Sequence, residues 1–308
     1  MWLALLGGLA LAQDAQPEIN AQLYRPPVAA RRTLWANDSQ TGDDRRFTGQ
    51  IWTHLAHDPL VYVVEGNRIA MLRDVWQTDL VGGYTRGPVR VGLDVPLVFI
   101  ASGEPGSNAG LGDITADVKL RLRDGSEGGA GLALAARAPL PTSTVDGLGS
   151  RGAAFEVEGI ADGEIGSTLL VANLGLRWVP QQTLEVFDWG PALHTRLGLG
   201  HEITDGVGVS AELAGQWALT DPTARGALPV EALIGGWSRV SERVSLRGGL
   251  GWAVTRGVGA PQLRGIVGMT WRPGGRSEGG SATPPPDPPA APAATDAPDP
   301  PAPAGATP

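Results

Sequence analysis

Long runs in which apolar and polar residues alternate restrict the fold of this chain more than any other feature. From Ile114 to Arg123 every second residue is apolar, and Asp117, Lys119 and Arg121 lie between these apolar positions. A helix would scatter both sets around its axis, whereas a strand places successive side chains on opposite faces. The run therefore predicts a strand with one apolar face and one charged face.

The same alternation returns throughout the central part of the chain. It is clearest in segments 89–95, 132–140, 155–158, 170–178, 193–199, 207–219, 228–234, 244–254 and 263–271, and weaker in 47–64 and 76–84. We predict about twelve strands of roughly nine to fifteen residues. Strands in soluble sheets are shorter, usually about five or six residues.

The connections between the predicted strands alternate in length. Asp-Gly pairs at 124–125, 162–163 and 205–206 fit two-residue hairpin turns. Longer connections are predicted near 65–74, 102–110, 142–152, 180–188 and 221–226. Short turns at one end and long loops at the other are typical of barrels that cross outer membranes.

Aromatic residues cluster near the ends of the predicted strands, where an apolar band would meet the two membrane interfaces. This predicted girdle consists of Trp52, Trp76, Tyr84, Phe99, Phe155, Trp178, Trp217 and Trp271. Together with the alternation, it predicts an all-β fold, an antiparallel transmembrane β-barrel of about 12 strands. A soluble secreted β-protein is the alternative, because its sheets would also have one apolar and one wet face.

The two ends of the chain differ from the middle. Residues 1–12 form a short apolar stretch that ends in Ala-Leu-Ala, which indicates a signal peptide. Residues 13–46 show little regular pattern and are predicted to form an N-terminal periplasmic segment, followed by the barrel over 47–273. Residues 274–308 are almost wholly Pro, Ala, Gly, Ser, Thr and Asp, which predicts a disordered, Pro-rich C-terminal tail.

Composition excludes several classes of function. The chain has no cysteine, which excludes disulfides, thiolate metal sites and a cysteine nucleophile. Lys119 is its one lysine, which argues against Schiff-base chemistry. A net charge of -8 without a basic run argues against nucleic acid as a partner.

The polar faces of the predicted strands would line the lumen of the barrel. The predicted lumen-lining residues are Arg90, Asp94, Asp117, Lys119, Arg121, Arg123, Arg137, Glu156, Glu158, Arg177, His194, Arg196, Glu212, Glu231, Arg247 and Arg264. Two interpretations remain open. Such charges either pair across the interior and close it, or line water in a pore. Any pore would be narrow, because about twelve strands lie between small filled barrels and wide porins.

The four histidines do not indicate chemistry. His54 and His57 are three residues apart, so on a strand they would face opposite sides and could not share a metal ion. His194 lies on a polar face, as do Asn173 and Ser210, but nothing in the sequence brings these three side chains together as hydrolysis would require. We therefore predict no catalytic residue, no metal site and no cofactor.

Several short motifs resemble a known group of barrels. They read AQLYRP from Ala21, HDPLV from His57, VGLDVPL from Val91, GLGDI from Gly110 and PLPT from Pro139. Over residues 19–272 the chain resembles the porin-like outer-membrane β-barrel found N-terminal in OmpA-family proteins of Gram-negative bacteria. The Gly-Leu-Gly-Asp motif also occurs in other barrels, including those labelled phenol-degradation-associated transporters. In the OmpA-type architecture a Pro-rich linker leads to a peptidoglycan-binding domain. The resemblance covers only residues 19–272, so we do not carry peptidoglycan anchoring over to this chain.

The prediction for function is porin-like, passive or facilitated passage of small solutes across the bacterial outer membrane. The expected partners are outer-membrane lipid and small solutes. The alternative is a closed structural barrel whose tail reaches through the periplasm and binds a partner or the envelope. An even number of strands predicts that both chain termini are periplasmic.

Overall fold

The computed structural model describes residues 20–64, 67–103, 106–125, 129–150, 152–184, 187–224 and 226–273. These residues form strands, turns and loops, with no helix among them. The predicted signal peptide and the predicted C-terminal tail lie outside the described residues.

Fifteen strands follow one another along the chain. They are β1 (Arg46–Val64), β2 (Asn67–Arg86), β3 (Val89–Gly103), β4 (Gly106–Leu111), β5 (Thr115–Arg123), β6 (Gly131–Pro139), β7 (Phe155–Ile165), β8 (Thr168–Trp178), β9 (Gln182–Leu184), β10 (Phe187–Trp189), β11 (Ala192–Thr204), β12 (Val207–Ala218), β13 (Val230–Arg239), β14 (Val244–Thr255) and β15 (Leu263–Trp271).

Twelve of these strands form one closed antiparallel barrel. Neighbours along the chain pair with one another, and β1 pairs with β15 from Gly49 opposite Trp271 to His57 opposite Leu263. The other three strands are short additions. β4 pairs with residues 97–103 of β3, beyond the residues that pair with β5, and β9 pairs with β10 in the connection between β8 and β11. The predicted all-β barrel of about 12 strands is therefore confirmed.

Alternation determines which side chains face the lumen. In β11, His194 and Arg196 point inward and are buried, whereas Leu197 and Leu199 point outward with 50% and 40% of their surface exposed. The outward faces of the other barrel strands are likewise rich in exposed Leu, Val and Ile. This is the apolar band that a bilayer requires of a barrel. Among the described residues there is no helix that could cross a membrane.

The two ends of the barrel differ as the loop lengths predict. At the end called here the short-turn mouth, tight turns contain Gly87, Gly166 and Gly206, each with a positive φ that glycine adopts at little cost. At the opposite long-loop mouth lie the connections 140–154, 179–191, 219–229 and 256–262. Three of the predicted loops are largely strand. Residues 67–74 belong to β2, residues 106–110 to β4, and the predicted loop 180–188 contains β9 and the start of β10.

Seven of the eight aromatic residues assigned to the girdle point outward. Five of them form aromatic contacts on the outer surface. The distances between ring centroids are 5.1 Å for Trp76 and Phe99, 6.3 Å for Phe155 and Trp178, and 4.8 Å for Tyr84 and Phe47. Trp217 and Trp271 are also exposed on the outside.

Trp52 does not belong to the girdle. Its indole is fully buried in the lumen, and Nε1–H donates a hydrogen bond to Gln50 Oε1 at 2.8 Å. Trp52 shares its parity with Gln50 and His54, which are both buried as well, so alternation and not residue type decides its side.

The luminal position of Trp52 generates a prediction for the facing strand. Gly268 lies opposite Trp52, and a Cβ atom there would overlap the indole ring. We expect Gly268→Val to destabilise the folded barrel by roughly 1–3 kcal/mol, the usual cost of overpacking. The measurement is the midpoint of urea unfolding in detergent. Gly265→Val is the matched control, because Gly265 points outward on the same strand and has no atom within 4 Å. Equal losses in both variants would contradict the luminal position of Trp52.

Candidate functional site

Residues 20–45, called here the luminal segment, fill the interior of the barrel. At the long-loop mouth Asn20 pairs with Leu148, and at the short-turn mouth Gly87 N–H donates to Asp44 Oδ1 at 2.5 Å. The segment thus runs from one mouth to the other before β1 begins. This corrects the prediction of a periplasmic segment for the described part of residues 13–46. The inward side chains of a twelve-stranded barrel do not fill its lumen. Residues 20–45 occupy the remaining space.

The lower arm of this segment, residues 31–45, is anchored most strongly at Glu212. The carboxylate of Glu212 accepts three consecutive backbone N–H groups, from Leu34 at 2.6 Å, Trp35 at 2.9 Å and Ala36 at 2.7 Å. Successive N–H groups that converge in this way form an anion-binding nest. The partner anion is provided by the barrel wall, and it is fully enclosed.

Further anchors surround Asn37 and the residues that follow it. Asn37 N–H donates to Asn173 Oδ1 at 2.8 Å, and the Asn173 amide returns a bond to the Asn37 carbonyl at 2.7 Å. The Asn37 side chain donates to Glu158, and the Ser39 backbone N–H donates to Asp162. All of these side chains are buried. Hydrogen bonds to ionised acceptors are among the stronger ones in proteins.

Two kinds of ion pair complete the anchoring of the lower arm. Inside the lumen, Lys119 Nζ lies 3.8 Å from Asp38 Oδ1, and both side chains are fully buried. At the short-turn mouth, Arg31 reaches Glu164 at 3.2 Å and Arg32 reaches Glu202 at 2.8 Å. The single lysine of the chain therefore pairs with the luminal segment.

The upper arm, residues 20–30, is held by fewer and longer contacts. Gln22 Oε1 accepts from Arg264 at 3.4 Å, and the carbonyl of Pro26 accepts from Arg137 at 3.2 Å. Arg25 Nη1 lies 4.0 Å from Glu156 Oε2, at the limit of an ion pair. The shorter bonds of this arm lie at its start and towards its end: Ala21 N–H donates to the carbonyl of Gly147 at 3.0 Å, Val28 N–H to Asn37 Oδ1 at 2.8 Å, and Arg247 to the carbonyl of Ala30 at 2.6 Å.

Most of the predicted lumen-lining residues are buried on the luminal face, and they form separate groups. Arg264 binds Glu231 through Nε at 2.7 Å, and Arg90 binds Asp117 at 2.6 Å. Arg177 Nη1 donates to Gln216 at 3.4 Å. Asp94 is half-buried and forms no ion pair with the described residues.

Two predicted positions differ from expectation. Arg121 lies at the rim of the short-turn mouth, where it contacts Gln40 and Asp124, both at 2.9 Å. Arg123 is exposed beyond this rim and does not line the lumen. The pairing of β5 with β6 shifts register between Arg121 and Arg123, which ends the alternation at this point.

One cluster in the lumen has the composition of a metal site. Ligand atoms of Glu156, Glu158 and His194 lie within 4.8 Å of one another. Arg196, however, contacts Glu158 at 2.5 Å and Glu156 at 3.0 Å. Because a fixed guanidinium group already compensates both carboxylates, we assign no metal ion to this cluster. His54 and His57 do face opposite sides of β1, one buried and one exposed.

Two small cavities lie in the described part of the lumen, beside the upper arm. The larger cavity has a volume of about 40 Å³ and lies against β2, β3 and β5, with Asp79 and Asp94 in its wall. The smaller cavity has a volume of about 10 Å³ and lies on the side of β8 and β11, with Arg177 and Arg196 in its wall. Arg25 borders both cavities. A buried water molecule needs roughly 10–15 Å³ of such space, so these cavities are of water size.

Sequence analysis missed the luminal segment, although one signal was present. Several glycines on luminal faces lie directly under it: a Cβ atom on Gly198 would be 3.1 Å from the Cβ of Ala36, and Gly235 and Gly249 leave room for Leu34. Small residues on the charged face of a strand are unnecessary if the lumen holds only water. Their presence indicates that another part of the chain approaches there.

The Glu212 nest generates a prediction for the lower arm. We expect Glu212→Gln to accelerate amide hydrogen exchange at Leu34, Trp35 and Ala36 on the order of tenfold or more. The reason is that a hydrogen bond to a charged acceptor contributes roughly 1.5–3 kcal/mol. The measurement is mass spectrometry of peptides from residues 30–40. The control is Glu242→Gln, which removes an exposed carboxylate in the turn between β13 and β14. Unchanged exchange in the Glu212 variant would contradict the anchoring role.

Comparison with known proteins supports the fold. No protein-family model matches the chain, and no curated protein is significantly similar to it in sequence. The crystal structure of the COG4313 outer membrane channel from Pseudomonas putida F1 aligns with a TM-score of 0.58 at 15% identity, covering 76% of this chain and 98% of that one. The NanC porin aligns with a TM-score of 0.50 at 8% identity, covering 73% and 98%. At such low identity the similarity shows the fold alone, and that fold is the outer-membrane β-barrel of channels and porins.

Proposed function

We propose that the protein is an outer-membrane channel for small polar solutes, which pass between the upper arm and the barrel wall while the lower arm stays fixed. The observation that carries this proposal is the unequal anchoring of the luminal segment. Short bonds to Glu212, Asn173 and Asp162 hold the lower arm. The upper arm beside the two cavities has mostly contacts of 3.2–4.0 Å.

The character of the cavities supports small, polar solutes. Their walls contain charged groups of both signs, which exclude apolar molecules by the cost of desolvation. Their volumes of about 40 and 10 Å³ admit water-sized groups at rest, so a solute must displace part of the upper arm. This function requires no catalytic group, and it agrees with the channels and porins among the structural neighbours.

A reversible cross-link tests whether the lower arm stays in place. Because the chain has no cysteine, Ala36→Cys combined with Gly198→Cys would form the only disulfide. The two Cβ positions are 3.1 Å apart, and a small adjustment gives the roughly 3.5–4.5 Å that a disulfide needs. We expect the oxidised double variant to conduct in planar bilayers as the reduced one does.

The two single variants serve as controls for this experiment, and migration on a gel before and after heating verifies folding. Conductance that disappears on oxidation and returns with a reductant would contradict a fixed lower arm. It would mean that the whole luminal segment leaves the barrel during passage.

We infer that the long-loop mouth faces the cell exterior, as is usual for outer-membrane barrels. In this orientation Trp271 lies at the periplasmic mouth, whereas Asn20 lies at the outer mouth. The pairing of Asn20 with Leu148 supports this arrangement. The expectation that both termini are periplasmic concerns residues outside the described ones and stays a prediction.

Single cysteines test this orientation. We expect a membrane-impermeant maleimide to label Asn20→Cys on intact cells, because Asn20 is half-exposed at the long-loop mouth. Ser107→Cys in β4 is the control for the same mouth, and Asp205→Cys in a tight turn is the control for the opposite mouth. Labelling of Asp205→Cys alone on intact cells would contradict the orientation. Labelling of Ser107→Cys without Asn20→Cys would contradict the position of Asn20 at the outer mouth.

A closed structural barrel is the second candidate, and an apolar cluster favours it. Ala21, Val145, Leu148, Trp189 and Val258 pack together with other buried residues at the long-loop mouth. Folded wild-type protein that gives no conductance would favour this function over a channel. A periplasmic partner for the tail and the relationship to the OmpA family both remain predictions.

A further inference from the structure

We propose that Arg25 sets the charge selectivity of the channel. This inference deepens the proposed function and rests on it. Arg25 is the one charged residue between Asn20 and Ala30, and it borders both of the luminal cavities described above. A positive charge at this position acts on any ion that enters either space.

The two cavities have walls of opposite charge. In the wall of the larger one, four carboxylates face two guanidinium groups, of which Arg25 is one. In the wall of the smaller one, three guanidinium groups face a single carboxylate, and Arg25 is again included. Arg25 therefore separates an acidic space from a basic space.

The carboxylates of the larger cavity are not equally compensated. Asp117 binds Arg90 at 2.6 Å, and Asp113 accepts backbone N–H groups from Ser143 at 3.1 Å and Ser150 at 2.6 Å. Asp79 and Asp94 remain. Asp79 Oδ1 receives a hydrogen bond from the neutral amide of Gln77, and Asp79 Oδ2 lies 3.6 Å from His54 Nε2. Neither Asp79 Oδ2 nor Asp94 Oδ1 has a hydrogen-bond partner among the described residues.

Asp79 and Asp94 lie close to each other on the luminal face. Asp79 is opposite Pro96 in the pairing of β2 with β3, and Asp94 is opposite Val81. The two aspartates are therefore diagonal neighbours on adjacent strands, within reach of one solute. Alone, this pair of carboxylates would favour cations in the larger cavity.

Arg25 is available to oppose these aspartates. Its only ion pair among the described residues is the 4.0 Å contact with Glu156, and its Nη2 atom is buried without a hydrogen-bond partner there. Glu156 is already bound by Arg196 at 3.0 Å. The charge of Arg25 is therefore incompletely neutralised, and it counters the negative potential of the larger cavity.

The test is the reversal potential of single channels in a planar bilayer with a KCl gradient. We expect Arg25→Gln to raise the ratio of K⁺ to Cl⁻ permeability about fivefold. This factor corresponds to the energy of about 1 kcal/mol between two unit charges at about 4 Å in water. Arg25→Lys should resemble the wild type, because it retains the charge.

The matched control is Arg45→Gln, which changes the same residue type on the same luminal segment. Arg45 lies outside both cavities, and 78% of its side chain is exposed, so the permeability ratio should not change. Migration on a gel before and after heating verifies that each variant is folded.

The outcomes separate this inference from the proposed function. If the wild type conducts and Arg25→Gln leaves the permeability ratio unchanged, the role of Arg25 is wrong and the channel stands. If neither folded wild type nor folded Arg25→Gln conducts, both are wrong. If only Arg25→Gln conducts, Arg25 closes the passage, and its selectivity role in the wild type is wrong.

Discussion

Burial of charge inside a closed barrel is the constraint on which the rest of this structure depends. A charged group that loses water and gains no partner costs several kcal/mol. The lumen holds many charged side chains, and the barrel wall alone does not provide hydrogen-bond partners or counter-charges for all of them. The backbone of the luminal segment provides N–H groups for Glu212, and Asp38 provides a counter-charge for Lys119. The side chains of the wall thus hold the luminal segment in place, and the segment in turn provides partners for the buried charges of the wall.

The barrel could be predicted from the sequence because its pattern is local. The apolar and polar faces of each strand can be recognised within about ten residues, and three of the tight turns contain a glycine. The same rule would have corrected the assignment of Trp52, whose neighbours at 50 and 54 are polar and luminal. Residue type suggested a membrane interface for this tryptophan, but parity determines on which side of the wall a side chain lies.

The luminal segment could not be predicted in the same way. It is distant in sequence from the residues that bind it, and several of its bonds use backbone groups that do not depend on residue type. Glu212 was assigned to the lumen, but the groups that it binds are backbone N–H groups of residues 176 to 178 positions away. Every residue except proline has such a group, so no residue pattern marks the three that are used. Arg123 shows a different limit, since a register shift at the end of β5 removes it from the lumen.

The course of the luminal segment has a consequence for the order of assembly. The cylinder is complete only when the first barrel strand meets the last, more than two hundred residues later in the chain. Residues 20–45 lie inside this cylinder, and a cluster of buried apolar residues packs around the segment at the long-loop mouth. We therefore expect the segment to lie against the inner face of the sheet before β1 and β15 pair. Residues 20–45 are thus the first part of the described chain to be synthesised, and they are enclosed only when the last strand pairs with the first. Such a topology makes closure of the seam a slow, long-range event.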